Sequence, residues 1–451
     1  MPRPRDTIAA LATPAGTAAI AVLRVSGPDA ARLAGEIFGC TPLPRSARHA
    51  DYRDRSGGLL DDVLHLFFQG PHSYTGEDSF EVSCHGNPFI VQKILEDLLA
   101  RGCRAAEPGE FTQRAFLNGR MDLSQAEAVM DLIRARSDRA LAAAHQQLRG
   151  ALGRRLTGLA DGLLGVLARV EAYIDFPEED LPPEDRGMIG REIERIARET
   201  DRLLATGRSG ELLRDGIKTV IVGAPNAGKS SLLNRLVGRE RALVSPEPGT
   251  TRDFIEARMR AGPHDLRLID TAGLNPAPAA IEKLGIAKTL ECAAEADLFL
   301  LVFDATQPAP PIPAELAVYM RDKNTLAILN KMDLVTAAPA ANVPATLPVL
   351  RVSALTGAGI DELVADIVRY ADLLQQDMGE DLVAINARHA HALVRAQICL
   401  RAAQEKLSGS APLELLASDL RGALDAFGDI AGKIDNERML DQLFATFCIG
   451  K

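Results

Sequence analysis

Short apolar runs and long amphipathic stretches alternate along the chain in four blocks. In residues 1–118 the runs AAIAVLRVSG, DVLHLFF and SFEVSCHG have the length and content of strands. Ser79 to Ser83 alternates polar and apolar positions, as a half-buried strand does. PFIVQKILEDLLARG reads as a helix, so the block predicts a small α+β domain. Residues 119–214 carry apolar positions at three-to-four spacing over many turns, which predicts long amphipathic helices. FPEEDLPPEDRG breaks them, and a further helix is expected from Met188 to about Thr206. Helical spacing returns in residues 376–451, beginning with VAINARHAHALVRAQICLRAAQEKL.

Between the helical blocks, residues 215–375 contain IKTVIVG, LRLIDTAG, DLFLLVFDA, TLAILN and LPVLRVSA. Continuous apolar strands alternating with helices predict a doubly wound, mostly parallel sheet. The expected architecture is an α/β domain inserted into a discontinuous helical domain. Such an insertion is tolerable because domain termini often lie close together.

Composition narrows this picture. A chain of 451 residues exceeds one ordinary core, so two or three domains are expected. With no Trp and 4% aromatic residues, the cores must be built from Leu, Ala, Ile and Val, which leans helical. A net charge of −10 offers no bulk attraction for nucleic acid, although it leaves room for a local basic patch. The first residues lack an apolar signal-peptide region, and no run reaches the roughly 18 apolar residues of a membrane span. Six scattered cysteines form neither paired metal spacing nor a disulfide framework, which fits a reduced cytoplasmic compartment.

The chemistry concentrates in the inserted block. After IKTVIV comes Gly223-Ala-Pro-Asn-Ala-Gly228-Lys229-Ser230 and then a helix, the phosphate-loop pattern in its required strand–helix context. Backbone N–H groups and the helix N-terminus form an anion nest. In that arrangement Lys229 reaches the β- and γ-phosphates and Ser230 ligates magnesium. The segment Gly249-Thr250-Thr251-Arg252-Asp253 offers a switch hydroxyl at Thr251 for the metal. Asp270-Thr271-Ala272-Gly273 ends a strand, with Asp270 facing magnesium through water and the Gly273 N–H facing the γ-phosphate. Asn330-Lys331-Met332-Asp333 ends another strand, and Asp333 can accept both N1–H and the exocyclic amine of guanine. Ser353-Ala354-Leu355 would present a backbone N–H to the guanine O6. Four ordered motifs, each at a strand's carboxyl end, predict a GTP site. The nucleotide-binding set these motifs predict is Asn226, Ala227, Gly228, Lys229, Ser230, Ser231, Gly249, Thr250, Thr251, Asp270, Thr271, Ala272, Gly273, Asn330, Lys331, Asp333, Ser353, Ala354 and Leu355.

Many small GTPases orient the attacking water with a Gln directly after the Asp-x-x-Gly glycine. Leu274 stands there, and an aliphatic side chain can hold no water. Three groups remain open as replacements, namely Glu282 at the start of a predicted helix, Asn226 as a ligand for a monovalent cation, and Arg252 as a finger. Read alone, Glu282 is better explained as an exposed carboxylate in the first turn of a helix, favoured by the dipole.

Over essentially its whole length the chain resembles the MnmE (TrmE) family of tRNA-modifying GTPases. The resemblance rests on DTIAALATPAG, LRVSGPDA, HSYTGEDSFEVSCHG, PGEFTQRAFLNGRMDLSQAEAVMDLI and the terminal Phe447-Cys448-Ile449-Gly450-Lys451. It implies a homodimer whose amino-terminal domain binds a tetrahydrofolate one-carbon derivative, in its 5-formyl or methylene form. It further implies a heterotetrameric complex with the flavoprotein MnmG (GidA). That complex adds an aminomethyl or carboxymethylaminomethyl group to carbon 5 of the wobble uridine of certain tRNAs.

Position by position, the resemblance adds Ser245, Pro246, Glu247 and Pro248 to the nucleotide-binding set, and it makes Asn226, Ser245, Glu247 and Thr250 the potassium set and Ser230 and Thr251 the magnesium ligands. It makes Glu282 a catalytic glutamate acting through water. Arg24, Glu81, Arg120 and Lys451 match the folate-binding positions, although many relatives carry Lys rather than Arg at position 120. Cys448 matches a terminal cysteine important for modification.

A regulatory GTPase of ribosome assembly is the alternative. It predicts an appended RNA-binding module with a GXXG loop, which the sequence lacks. A membrane-associated GTPase would need a span or a lipidation signal, and neither is found.

Overall fold

The computed structural model describes residues 6–39, 43–175, 183–239, 255–270, 290–321, 324–335, 347–374, 383–409, 411–432, 443–444 and 447–450. The chain divides into two compact units, one of residues 1–130, 153–157 and 427–451, the other of residues 131–152 and 158–426.

The first unit is built on a six-stranded sheet in the order β3-β4-β5-β2-β1-β6. Its strands are β1 (Ile8–Leu11), β2 (Ile20–Ser26), β3 (Arg48–Arg53), β4 (Leu59–Phe68), β5 (Ser79–His85) and β6 (Arg104–Ala105). Alternation sorts the side chains of its central strands. Ala21, Leu23 and Val25 of β2, with Phe80, Val82 and Cys84 of β5, enter one core. Helices α1 (Ala30–Phe38) and α2 (Pro88–Ala100) cover that core with Leu33, Ile37, Ile94 and Leu98. The period of two then leaves Arg24 and Glu81 on the opposite face, where they are register partners. Edge strand β3 (RHADYR) is too polar for its sequence to announce a strand, which is how exposed edges avoid further pairing. In the same unit, α3 (Glu110–Leu117) precedes α4 (Leu123–Arg134), and Phe444 and Phe447 pack with Leu123, Ala126 and Met130.

The second unit holds a six-stranded sheet in the order β12-β11-β10-β7-β9-β8. Its strands are β7 (Ile217–Gly223), β8 (Ile255–Ala261), β9 (His264–Asp270), β10 (Leu298–Asp304), β11 (Thr325–Asn330) and β12 (Val349–Arg351). Every neighbouring pair is parallel except β8 with β9, so the expected doubly wound, mostly parallel sheet is present. Apolar residues fill both faces, one of them closed by a helix at 229–239 and by the helix Ile360–Leu374. That coverage is why these strands read as continuous rather than alternating runs.

The helices differ in extent from the sequence expectation. The stretch after residue 122 is divided by the Ser137 cap and by Gly150, at φ 77°, giving α5 (Asp138–Leu148) and α6 (Ala151–Asp175) as separate helices. Helix α7 (Pro183–Asp215) begins earlier and ends later than the expected Met188 to Thr206. Pro183 occupies the first helical position, where a missing N–H costs nothing. Gly210, inside the helix, serves close packing: a Cβ there would sit 2.5 Å from the Ile385 carbonyl oxygen. The helix Ala387–Ser408 packs along α7. Arg214, at the end of α7, donates Nε to both Asp131 oxygens at 3.0 Å and Nη1 to the Ile385 oxygen at 3.0 Å. It thereby ties together the two chain segments that lead into and out of the sheet.

Candidate nucleotide-binding site

The candidate site gathers at the carboxyl ends of β7, β9, β11 and β12. Its phosphate loop leaves β7 at Gly223, where a Cβ would lie 2.2 Å from the Val302 carbonyl oxygen of β10. Asn226 takes the left-handed conformation at φ 61°, and Gly228 does so at φ 92°. A Cβ on Gly228 would stand 2.3 Å from Asn330 Nδ2. Helix α8 (Lys229–Arg239) then starts, bringing its positive dipole end to the loop.

Lys229 is 5% exposed, and its Nζ donates to the carbonyls of Gly223 and Ala224, each at 2.8 Å. Burial pushes its ammonium below the usual lysine range, against the opposing pull of the Asp270 carboxylate. An ammonium held by two carbonyls and partly stripped of water is poised for an anion. Ser230 Oγ donates to Asp270 Oδ2 at 2.6 Å, with Asp270 fully buried at the end of β9. A hydroxyl and a carboxylate side by side match the donor chemistry of a hard divalent cation.

Asn330, 2% exposed, joins two loops: its Nδ2 donates to the Ala227 carbonyl at 3.0 Å, and its Oδ1 accepts the Ala354 N–H at 3.0 Å. Lys331, at φ 64°, donates Nζ to Asp304 Oδ2 at 2.6 Å. Burial alone would raise the Asp304 carboxyl, but hydrogen bonds from Lys331 and Thr306 outweigh it and hold the group below the usual carboxylate range. Asp333 is exposed, and its Oδ1 accepts from Ser353 Oγ. Asn226 to Ser231, Asp270, Asn330, Lys331, Asp333 and Ser353 to Leu355 are thus at the strand ends where the sequence puts them. Ser245 to Thr251, Arg252, Thr271 to Gly273, Leu274, Glu282 and Lys451 lie outside the described residues. Sequence reasoning missed Asp304, whose signal is its place at the end of the apolar run LFLLVF.

A second cluster lies in the amino-terminal unit. Arg24 Nε donates to Glu81 Oε1 at 2.9 Å, and Nη1 donates to the Gly450 carbonyl at 3.3 Å. The guanidinium also lies over the rings of Tyr74 and Phe111, at 5.4 and 5.7 Å. With the Arg24 side chain 16% exposed, this is no solvent-screened surface pair. Arg120 is exposed, and its stem runs against Gly76, where a Cβ would meet Cγ at 3.2 Å. The tail seats closely: a Cβ on Gly450 would be 2.3 Å from the Leu11 oxygen, and the Gly109 N–H donates to the Cys448 carbonyl at 3.3 Å. The Cys448 thiol is free and exposed.

Family models match the chain in two stretches. Residues 7–120 match the GTP-binding protein TrmE N-terminus, and residues 123–448 match the MnmE helical domain. A protein of Opitutus terrae named tRNA modification GTPase MnmE is 61% identical over 100% of both chains. The chain belongs to the MnmE family. MnmE proteins of Symbiobacterium thermophilum and Akkermansia muciniphila, which carry the same name, are 44% and 45% identical. The first covers 99% of both chains and the second 100%. The chain folds as an amino-terminal α+β part matched by the first model, with helices and an α/β sheet bearing the phosphate loop inside the stretch matched by the second. Among the described residues, no helix is long and apolar enough to cross a membrane.

Proposed function

We propose that this chain is a tRNA modification GTPase: it binds GTP with magnesium, hydrolyses it with potassium stimulation, and works in the cytoplasm as a homodimer. With the flavoprotein MnmG it alters carbon 5 of the wobble uridine, using a tetrahydrofolate one-carbon derivative. The observation that carries the reading is the Asn330 bridge between the phosphate loop and the Ser353 to Leu355 loop, with Ser230 paired to Asp270 beside it.

In this reading Lys229 neutralises the β- and γ-phosphates, and Asp333 accepts the two guanine donors. Ser230 and Thr251 hold magnesium, which supplies charge neutralisation at the phosphates, and Asp270 supports it through water. Asn226, Ser245, Glu247 and Thr250 hold potassium in place of an arginine finger, and Glu282 orients the attacking water. Segments 119–214 and 376–451 form one helical domain interrupted by the GTPase domain at 215–375. In the amino-terminal domain, 1–118, Glu81 accepts from the pterin N–H donors, while Arg24, Arg120 and Lys451 meet the ligand's carboxylates. Cys448 takes part in the modification.

Hydrolysis of GTP and ATP by the purified protein tests the nucleotide part, with GTP expected to be strongly preferred. Nucleoside analysis of tRNA from cells lacking the protein tests the wider part. An unchanged wobble uridine there would refute the modification role.

A further inference from the structure

Arg235 lies on α8, the helix that starts at the phosphate loop, and it contacts the loop after β12. Its Nε donates to the Ala354 carbonyl at 2.8 Å, and its Nη2 donates to the Leu355 carbonyl. The loop's own amides are otherwise committed. Ser353 N–H donates to the Ala358 carbonyl at 2.9 Å, and Gly357 N–H to the Ser353 carbonyl at 2.8 Å. Ala354 N–H donates to Asn330 Oδ1 at 3.0 Å, and Thr356 N–H to Ser353 Oγ at 3.1 Å. Ala358 N–H reaches Thr356 Oγ1 at 3.4 Å. Among these described loop amides, Leu355 N–H is the one without a protein acceptor.

In a planar trans peptide the carbonyl and the following N–H point in opposite directions. Holding the Ala354 oxygen therefore also sets the direction of the Leu355 N–H. The Leu355 side chain is 75% exposed and anchors nothing, so the loop's orientation depends on polar ties, of which Arg235 supplies two.

We propose that Arg235 is a positioning residue for purine recognition, clamping two loop carbonyls so that the Leu355 N–H is aimed at the 6-keto oxygen of guanine. This rests on the GTPase reading and deepens it. An adenine presents an amino donor at the same place, and donor facing donor penalises it, so a fixed amide rejects what a mobile one would tolerate.

The test compares the full chain with Arg235→Ala and Arg235→Lys, using GTP and 6-thio-GTP, whose sulfur is a weak acceptor. Arg235→Ala is expected to raise KM for GTP about fivefold, the worth of one hydrogen bond, with kcat within about twofold. KM for 6-thio-GTP should barely change. Arg235→Lys keeps a single donor nitrogen in place of the two that Arg235 uses, and should recover part of the loss. Equal losses for both nucleotides, or none for GTP, would overturn the proposal. If Arg235→Ala does not fold, the lysine variant decides by the same comparison: a KM rise confined to GTP supports the role, and an equal rise or none overturns it. A wild-type protein indifferent between GTP and ATP would defeat the underlying reading instead, a separate outcome.

Discussion

Asn330 Nδ2 lies 3.0 Å from the carbonyl oxygen of Ala227, a contact across 103 residues of sequence that joins the phosphate loop to the end of β11. The same side chain accepts the Ala354 N–H, so one buried carboxamide sets the spacing between the phosphate and purine loops. Asn330→Ala would leave a carbonyl and an amide buried and unpaired. We expect it to destabilise the domain that holds the β7–β12 sheet by about 2 kcal/mol and to weaken GTP binding about tenfold. Thermal unfolding and nucleotide titration would check both, and wild-type values in each would contradict the bridging role.

The Lys331–Asp304 pair carries a pH dependence. Because the folded carboxyl titrates below the unfolded value near 3.8, the pair's contribution is complete above that value. It is lost as pH falls through the lower folded pKa. The stability difference between the wild type and Asp304→Asn should therefore be constant at neutral pH and shrink below about pH 4. A difference that grows on acidification would reverse the assignment.

Hydrolysis should depend on a carboxylate and an alkali ion. Glu282→Ala is expected to lower kcat about hundredfold while GTP affinity stays within about threefold. Replacing potassium by sodium should slow the wild type by a similar factor of about a hundred. Equal turnover in the two salts would remove the cation from the mechanism.

Arg24 divides its donors between Glu81 and the tail carbonyl of Gly450. Arg24→Gln keeps donors but loses the charge, and it should weaken binding of 5-formyltetrahydrofolate about tenfold in equilibrium dialysis. Undiminished binding would place the folate elsewhere.

Much of the domain that holds the β7–β12 sheet is legible in the sequence because its chemistry is local. Gly223, Gly228 and Lys229 must stand at fixed spacing for a backbone to wrap an anion, and strands buried on both faces advertise themselves as apolar runs. Helix α1 and edge strand β3 leave no clear mark, the first for its brevity and the second because its exposed positions are polar. Helix α7 (Pro183–Asp215) outruns its expected ends, Met188 and Thr206, because what accommodates its flanking residues is not local periodicity. Pro183 needs no N–H at a helix start, and Gly210 makes room for the Ile385 backbone.

Residue types at short spacing were enough to establish the order of the phosphate and purine motifs along the chain, and the family with them. Folding in three dimensions settled who meets whom across long separations: Asn330 with Ala227, Arg235 with Ala354, and Arg24 with Gly450. Those pairings follow from where strands and helices end in space, and no local periodicity encodes that.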